Sequence, residues 1–201
     1  MRKLLFSFAL ALMLTLAGSL NAQQFDAALG FGTVKAPAAN DGFPSLSGGT
    51  YISFNGNVIL KHHIGFGGEV ASRVHQAPYG ISNGSSFFVL PYRPIFYDFN
   101  AVYGVTAIKK RVGGDIMAGI GGQDLRFYTG NYNCGAFSCT NYQSSNHFAW
   151  HFGADFRYYF WGHAFIRPEA HYYIVHNNVE FNNVNAARYT ISIGYSFMPG
   201  F

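Results

Sequence analysis

The chain has 201 residues, of which 49% are hydrophobic, 18% aromatic and only 11% charged. So little charge excludes a disordered tail and a coiled coil, and the weight of Gly, Phe and Tyr over Lys and Glu favours strands and turns. A formal net charge of +4 is too small for a nucleic-acid footprint, so no nucleic acid is expected as a partner.

The first predicted element is a secretory signal over residues 1–22. Arg2 and Lys3 form its positive start, an apolar run follows from Leu4 to about Leu16, and Leu20-Asn21-Ala22 offers a cleavage site. The apolar run is short for a spanning helix. No Cys stands at the cleavage site, so no lipid anchor is expected. Residues 23–201 are expected to form one domain, with a net charge near +2 once Arg2 and Lys3 are lost (4 − 2).

From there the chain alternates, residue by residue, through about eight segments. In Phe25–Thr33, the residues Phe25, Ala27, Leu29 and Phe31 oppose Asp26, Ala28, Gly30 and Gly32. The same pattern runs through Tyr51–Leu60, Ile64–His75, Tyr97–Ala107 and Val112–Gly122. After Gly122 the apolar phase slips to Leu125 and Phe127, which predicts a bulge near Gly121-Gly122. His147–Phe160 is the cleanest case: Phe148, Trp150, Phe152, Phe156, Tyr158 and Phe160 share one face, and His147, His151, Asp155 and Arg157 the other. Ala164–Val175 and Arg188–Phe197 complete the set. Period two over such lengths is a strand, because successive side chains point to opposite faces.

The connectors alternate too. Lys61–His63, Ile108–Arg111 and Trp161–His163 are short. Val34–Thr50, Gln76–Phe96, Thr129–Ser145 and His176–Ala187 are long and rich in Gly, Asn and Ser. This predicts an all-β, antiparallel up-and-down meander, closed into a barrel that leaves no edge strand. Its apolar face is expected to meet lipid. The segments match the 9–11 residues of a tilted transmembrane strand, and Phe148, Trp150, Tyr158, Phe160 and Trp161 bracket the apolar face as an aromatic girdle would. Every lysine after residue 22 falls in a predicted connector, whereas the polar face uses Arg. The competing reading is a soluble, lipocalin-like barrel with the apolar face inward and a ligand cavity.

Cys134 and Cys139 are the only cysteines and lie in a polar segment of an exported chain. A local disulfide is expected, one that shapes its loop more than it holds the fold.

The signal segment, the alternating strands and the ending Tyr189-Thr190-Ile191-Ser192-Ile193-Gly194-Tyr195-Ser196-Phe197 resemble the small bacterial outer-membrane barrels of OmpA/OmpX type. The resemblance implies a place in the bacterial outer membrane, both termini periplasmic, the long loops extracellular, and lipid and lipopolysaccharide as surroundings. It also implies recognition by the barrel-assembly machinery through Tyr195 and either Phe197 or Phe201, since the chain continues past the usual terminal aromatic. The chain ends at the last strand, so no soluble periplasmic domain is expected.

An eight-stranded barrel is just wide enough for side chains to fill it. Asp26, Glu69, Arg73, Asp98, Asp115, His151, Asp155, Arg157, Arg167, Glu169, His171 and Arg188 are expected to do so as a charge network, with Glu69/Arg73 and Arg167/Glu169 as pairs sharing a strand face. The leading expectation is therefore a non-enzymatic barrel with a plugged lumen, serving envelope structure or contacts with proteins or glycans through its loops. A narrow solute channel is the first alternative and a lipid-modifying enzyme the second. For the enzyme, His176-Asn177-Asn178 lacks a serine, and Ser145-Asn146-His147 is read as a loop in the wrong order. No cofactor and no metal site are expected. His147 and His151 share a face but stand about 13 Å apart along a strand, while His171 could reach His151 from a neighbouring strand.

Overall fold

The structure, a computed structural model, describes residues 24–37, 45–60, 63–82, 87–107, 111–134, 139–182 and 185–197. The signal segment 1–22 and the alternative anchor Phe201 lie outside the described residues. Nine strands follow in chain order: β1 (Gln24–Lys35), β2 (Tyr51–Ile59), β3 (Ile64–Arg73), β4 (Ala77–Ser82), β5 (Phe87–Ala107), β6 (Val112–Cys134), β7 (Cys139–Trp161), β8 (Ala164–Val175) and β9 (Ala186–Phe197). A 3-10 turn, Val179–Phe181, precedes β9. Apart from β3 and β4, sequential strands pair antiparallel, and β9 returns to β1 from Phe25↔Phe197 to Lys35↔Ala187, which closes the sheet.

β3 and β4 occupy the same edge of β5. β3 pairs with its second half, from Ser72↔Ile95 to Ile64↔Tyr103, and β4 with its first, from Ala77↔Tyr92 to Ser82↔Phe87. Nine strands thus fill eight positions around the barrel. The connections β2–β3, β5–β6 and β7–β8 gather with the start of β1 and the end of β9 at one rim, the turn end. The connections β1–β2, β6–β7 and β8–β9 lie at the opposite rim, the loop end.

Alternation sets the two faces. Leu29, Phe54, Phe99, Ile116, Phe152 and Ile193 point outward and are exposed, while Asn55, Asp98, His151, Arg167 and Arg188 point inward and are buried. A barrel in water would do the reverse, because exposed apolar patches of this extent are not stable there. The exterior is therefore a lipid-facing belt, and the soluble reading is overturned.

Three departures from the expected elements have one physical cause. The phase slip at Gly121-Gly122 is not a bulge: β6 stays in continuous register with β5 and β7 there, through Tyr97↔Gly122 and Gly122↔Phe148. Leu125 keeps the inward parity of the strand and is buried. It is the inside of the barrel that turns apolar at this height. The segment 76–96 is not a loop but β4 and the start of β5, despite Pro78, Pro91 and Pro94. Residues 129–145 are likewise mostly strand, since β6 runs to Cys134 and β7 starts at Cys139. Strict polar/apolar alternation requires lipid outside and a polar bore inside; above the belt the outer face meets water and the bore turns apolar, so the pattern fades while the ladder continues. Within the β6–β7 hairpin the register shifts between Tyr128 and Asn133.

Candidate functional site: a filled lumen and its loop-end rim

Inward-facing carboxylates stand side by side on adjacent strands. Glu69 is the direct partner of Asp98, and Asp155 of both Asp115 and Glu169. Like charges directly opposite each other repel, and arginines from other strands reach across the bore to hold them. Arg157 on β7 donates to Asp26 on β1 (2.5 Å) and to Asp115 on β6. Arg167 on β8 donates to Glu169 (3.0 Å) and to Asn55 on β2, and has Asp155 at 3.8 Å. Arg188 on β9 donates to Glu69 on β3 and to the Tyr173 hydroxyl (3.2 Å). Each arginine therefore ties together strands that are not neighbours in the sheet.

One expected member departs from this network. Arg73 does not pair with Glu69. It sits at the loop end of β3, only partly buried, opposite Tyr51 and beside Gly49 and Tyr92. Four residues along a strand carry it out of reach of Glu69, whose partner comes from across the bore instead. Arg167/Glu169 do meet, as their spacing implied.

A hydrogen-bonded relay continues above the ion pairs. The His151 and His171 rings lie 3.0 Å apart, Nε2 to Nδ1. His151 Nδ1 donates to Asn100 Oδ1 (2.6 Å), and Asn100 Nδ2 donates to Asp98 Oδ1 (2.5 Å), which fixes the amide orientation. The Tyr173 hydroxyl donates to the other Asp98 oxygen (3.0 Å). His151 Nδ1 donates to Asn100, and His171 Nε2 faces the Glu169 carboxylate at 3.0 Å as a donor. The contact between His151 Nε2 and His171 Nδ1 needs one further proton, so the two rings share three protons and one positive charge between Glu69 and Glu169.

Towards the loop end the bore becomes an apolar plug. Tyr51, Phe96, Tyr173, Leu125, Tyr92 and Phe181 are its largest members, all fully buried. The 3-10 turn brings in Phe181, whose ring lies 5.2 Å from Tyr92 and 5.5 Å from Tyr79. Between the ionic layers and the relay, Asn55, Glu69, Arg167 and His171 line a void of about 10 Å³, the lower limit for one water.

Glu69, Glu169 and His171 place one ligand atom each within 4.8 Å of one another, a set with the chemistry to hold a cation. In the folded barrel Arg188, Arg167 and the His171 protons already supply positive charge to those carboxylates. At the rim, Ser145 and His147 lie on β7, not in a loop, and both face inward. Ser145 Oγ is 3.1 Å from His147 Nε2 and donates to Glu180 Oε1 at 2.5 Å, while Glu180 Oε2 is 3.1 Å from the same His147 nitrogen. In a nucleophile–base–carboxylate relay the acid holds the other ring nitrogen. Here it competes with the serine for one nitrogen, so the three form a closed triangle.

The remaining expected residues are placed as follows. Phe148 and Trp150 stand outward towards the loop end, and Tyr158, Phe160 and Trp161 outward at the turn end, all exposed. Tyr195 and Phe197 end β9 on the outer wall, with ring centroids 5.0 Å apart. Cys134 and Cys139 are direct cross-strand partners joined by a disulfide at the tip of the β6–β7 hairpin. The expectation missed Asn55, Asn100 and Tyr173 as working members of the lumen. Inward parity marked all three, but charge alone was used to select.

No family model and no curated protein matches the chain. Solved structures do. The outer membrane protein OprG from Pseudomonas aeruginosa is 10% identical over 88% of this chain and 96% of that chain, with a TM-score of 0.57. Ail, the attachment invasion locus protein of Yersinia pestis, solved with the heparin analogue sucrose octasulfate, is 14% identical over 87% of this chain and 98% of that chain, with a TM-score of 0.54. The outer membrane protease OmpT from Escherichia coli is 10% identical over 89% of this chain and 98% of that chain, with a TM-score of 0.50. The shared feature is the fold of the outer-membrane barrels. Since it serves both an attachment protein and a protease, the fold does not select an activity.

Proposed function

We propose that this outer-membrane barrel is a non-enzymatic envelope protein with a closed lumen, embedded in the bacterial outer membrane and acting through its outer surface and loop-end rim. What carries the reading is the bore itself. Three cross-lumen arginines, the histidine relay and the apolar plug stack across it, and the void among Asn55, Glu69, Arg167 and His171 holds only about 10 Å³, whereas a solute path needs an opening through every layer. The channel alternative would require all three layers to part together. The triangle of Ser145, His147 and Glu180 is the observation nearest to catalysis, and its shared nitrogen weighs against a nucleophile. Contact with proteins or glycans belongs to the loop end, and Ail's complex with a heparin analogue is a precedent for such binding by this fold.

The test is a planar bilayer holding the chain refolded without its first 22 residues. No stepwise conductance is expected. Reproducible, ion-selective steps would overturn the closed lumen in favour of the channel. A change in lipid A mass, abolished by Ser145→Ala, would overturn the non-enzymatic reading.

A further inference from the structure

The outer wall carries an unbalanced pair of cations just above the apolar belt. Arg93 on β5 and Arg126 on β6 are direct cross-strand partners. They share the outward face with Tyr97 and Phe99 on β5, by parity. Two like charges so placed repel. Arg126 is relieved by Asp124, which accepts from its Nε at 2.8 Å, and its guanidinium lies 4.8 Å from the Tyr142 ring centre. Arg93 has no such relief: it donates to the Val74 carbonyl at 3.3 Å, its guanidinium lies 5.9 Å from the Tyr128 ring centre, and its Nε is buried without a partner. Among the described residues no carboxylate pairs with Arg93. Each guanidinium lies over a tyrosine ring, Arg93 over Tyr128 and Arg126 over Tyr142, and among the described residues Asp124 takes only the Nε of Arg126.

Below the pair the belt holds an open groove of about 540 Å³ that crosses β2, β3, β5, β6 and β7, lined by Phe54, Val70, Tyr97, Phe99, Ile120 and Phe148. Gly68 faces outward in its floor, where a side chain would crowd the Asp98 carbonyl at 3.2 Å. Arg93, Ile95, Tyr97 and Phe99 form one outward row, so the cations and the lower groove are about 20 Å apart along the strand.

We infer that this wall is a binding site for a phosphorylated lipid of the leaflet at the loop end, its phosphate bridging Arg93 and Arg126 and an acyl chain lying in the groove. A phosphate accepts from two guanidinium groups at once and cancels the repulsion between them. An apolar hollow within an acyl chain's length of the cations favours a lipid over a soluble anion. The Asp124 carboxylate opposes the phosphate at one side and restricts it to the face shared by the two arginines.

The inference rests on the membrane-barrel reading, and the experiment separates the two. The chain, folded in uncharged detergent, is titrated with bis-phosphorylated lipid A and with the same lipid dephosphorylated, and bound lipid is counted by native mass spectrometry. Preference for the phosphorylated form is expected, reduced about tenfold by Arg93→Gln and by Arg126→Gln. Both variants should keep the heat-dependent gel shift of the folded barrel, which shows that they fold. Equal binding of the two lipids, unchanged binding by both variants, or displacement by inorganic phosphate or sucrose octasulfate at matched concentration would overturn the site. A wild-type chain with no gel shift would instead overturn the membrane barrel itself.

Discussion

Arg157 touches two carboxylates from different strands, Asp26 on β1 and Asp115 on β6. Deleting one partner of a buried ion pair leaves the others desolvated and unpaired, which costs far more than the pair contributes. Arg157→Met is therefore expected to lower stability by about 3–5 kcal/mol, read from urea unfolding in lipid vesicles. A loss under about 1 kcal/mol, the range of exposed pairs, would show that the bore is wetter than its burial implies. The His151–His171 pair makes a second residue-scale prediction. Its partners require three ring protons between the two side chains, so nitrogen NMR of the labelled rings should show three N–H groups. Only two protonated nitrogens would break the relay. Gly194 illustrates how tightly such groups fit: the Phe165 ring occupies the place a side chain there would take.

At the scale of elements, the β6–β7 hairpin and the 3-10 turn behave oppositely. The hairpin tip stands clear of the belt, and its Cys134–Cys139 bridge closes a short loop that restrains little of the unfolded chain. Reduction should speed amide exchange over residues 129–143 and leave the belt strands protected. Exchange spreading into the belt would contradict that independence. The turn Val179–Phe181 matters more than its length suggests. It ends at Asn182 with φ 54°, a left-handed conformation that asparagine tolerates, and it buries Phe181 completely. Phe181→Ala should cost about 3–5 kcal/mol and expose the amides around Tyr79 and Tyr92 first, as measured by hydrogen exchange. A uniform loss across all strands would mean that plug and belt melt as one unit.

For the whole molecule, the outer surface and the bore exchange the roles they have in a soluble protein. The apolar side chains face outward and the ion pairs inward, so stability requires an apolar solvent around the barrel. The chain folded in detergent is expected to run as a compact band in SDS and to shift only on boiling. Remaining in solution without detergent, with no shift, would overturn this inversion.

Much of this was legible from period two alone. His147–Phe160 named both faces of β7, and the even number of segments implied closure. The inward row of acids, arginines and histidines could be written down before any contact was known, and so could the pair Arg167/Glu169. What the residues could not convey was partnership across the bore. Glu69 meets Arg188 and not Arg73 because shear and closure decide which strands face each other, and neither is encoded in a local pattern. The phase slip at Leu125 mimics a bulge for a related reason: Leu125 reverses the pattern because the inside of the barrel changes character along its axis. Sequence by itself determined strand parity, the lipid-facing belt and the composition of the lumen, since those follow from two-residue periodicity at a lipid boundary. Only the tertiary structure decided the arginine ties, the His151–His171 relay, the Ser145–His147–Glu180 triangle and the Arg93–Arg126 pair, because each depends on a register or a contact between elements that no local pattern fixes.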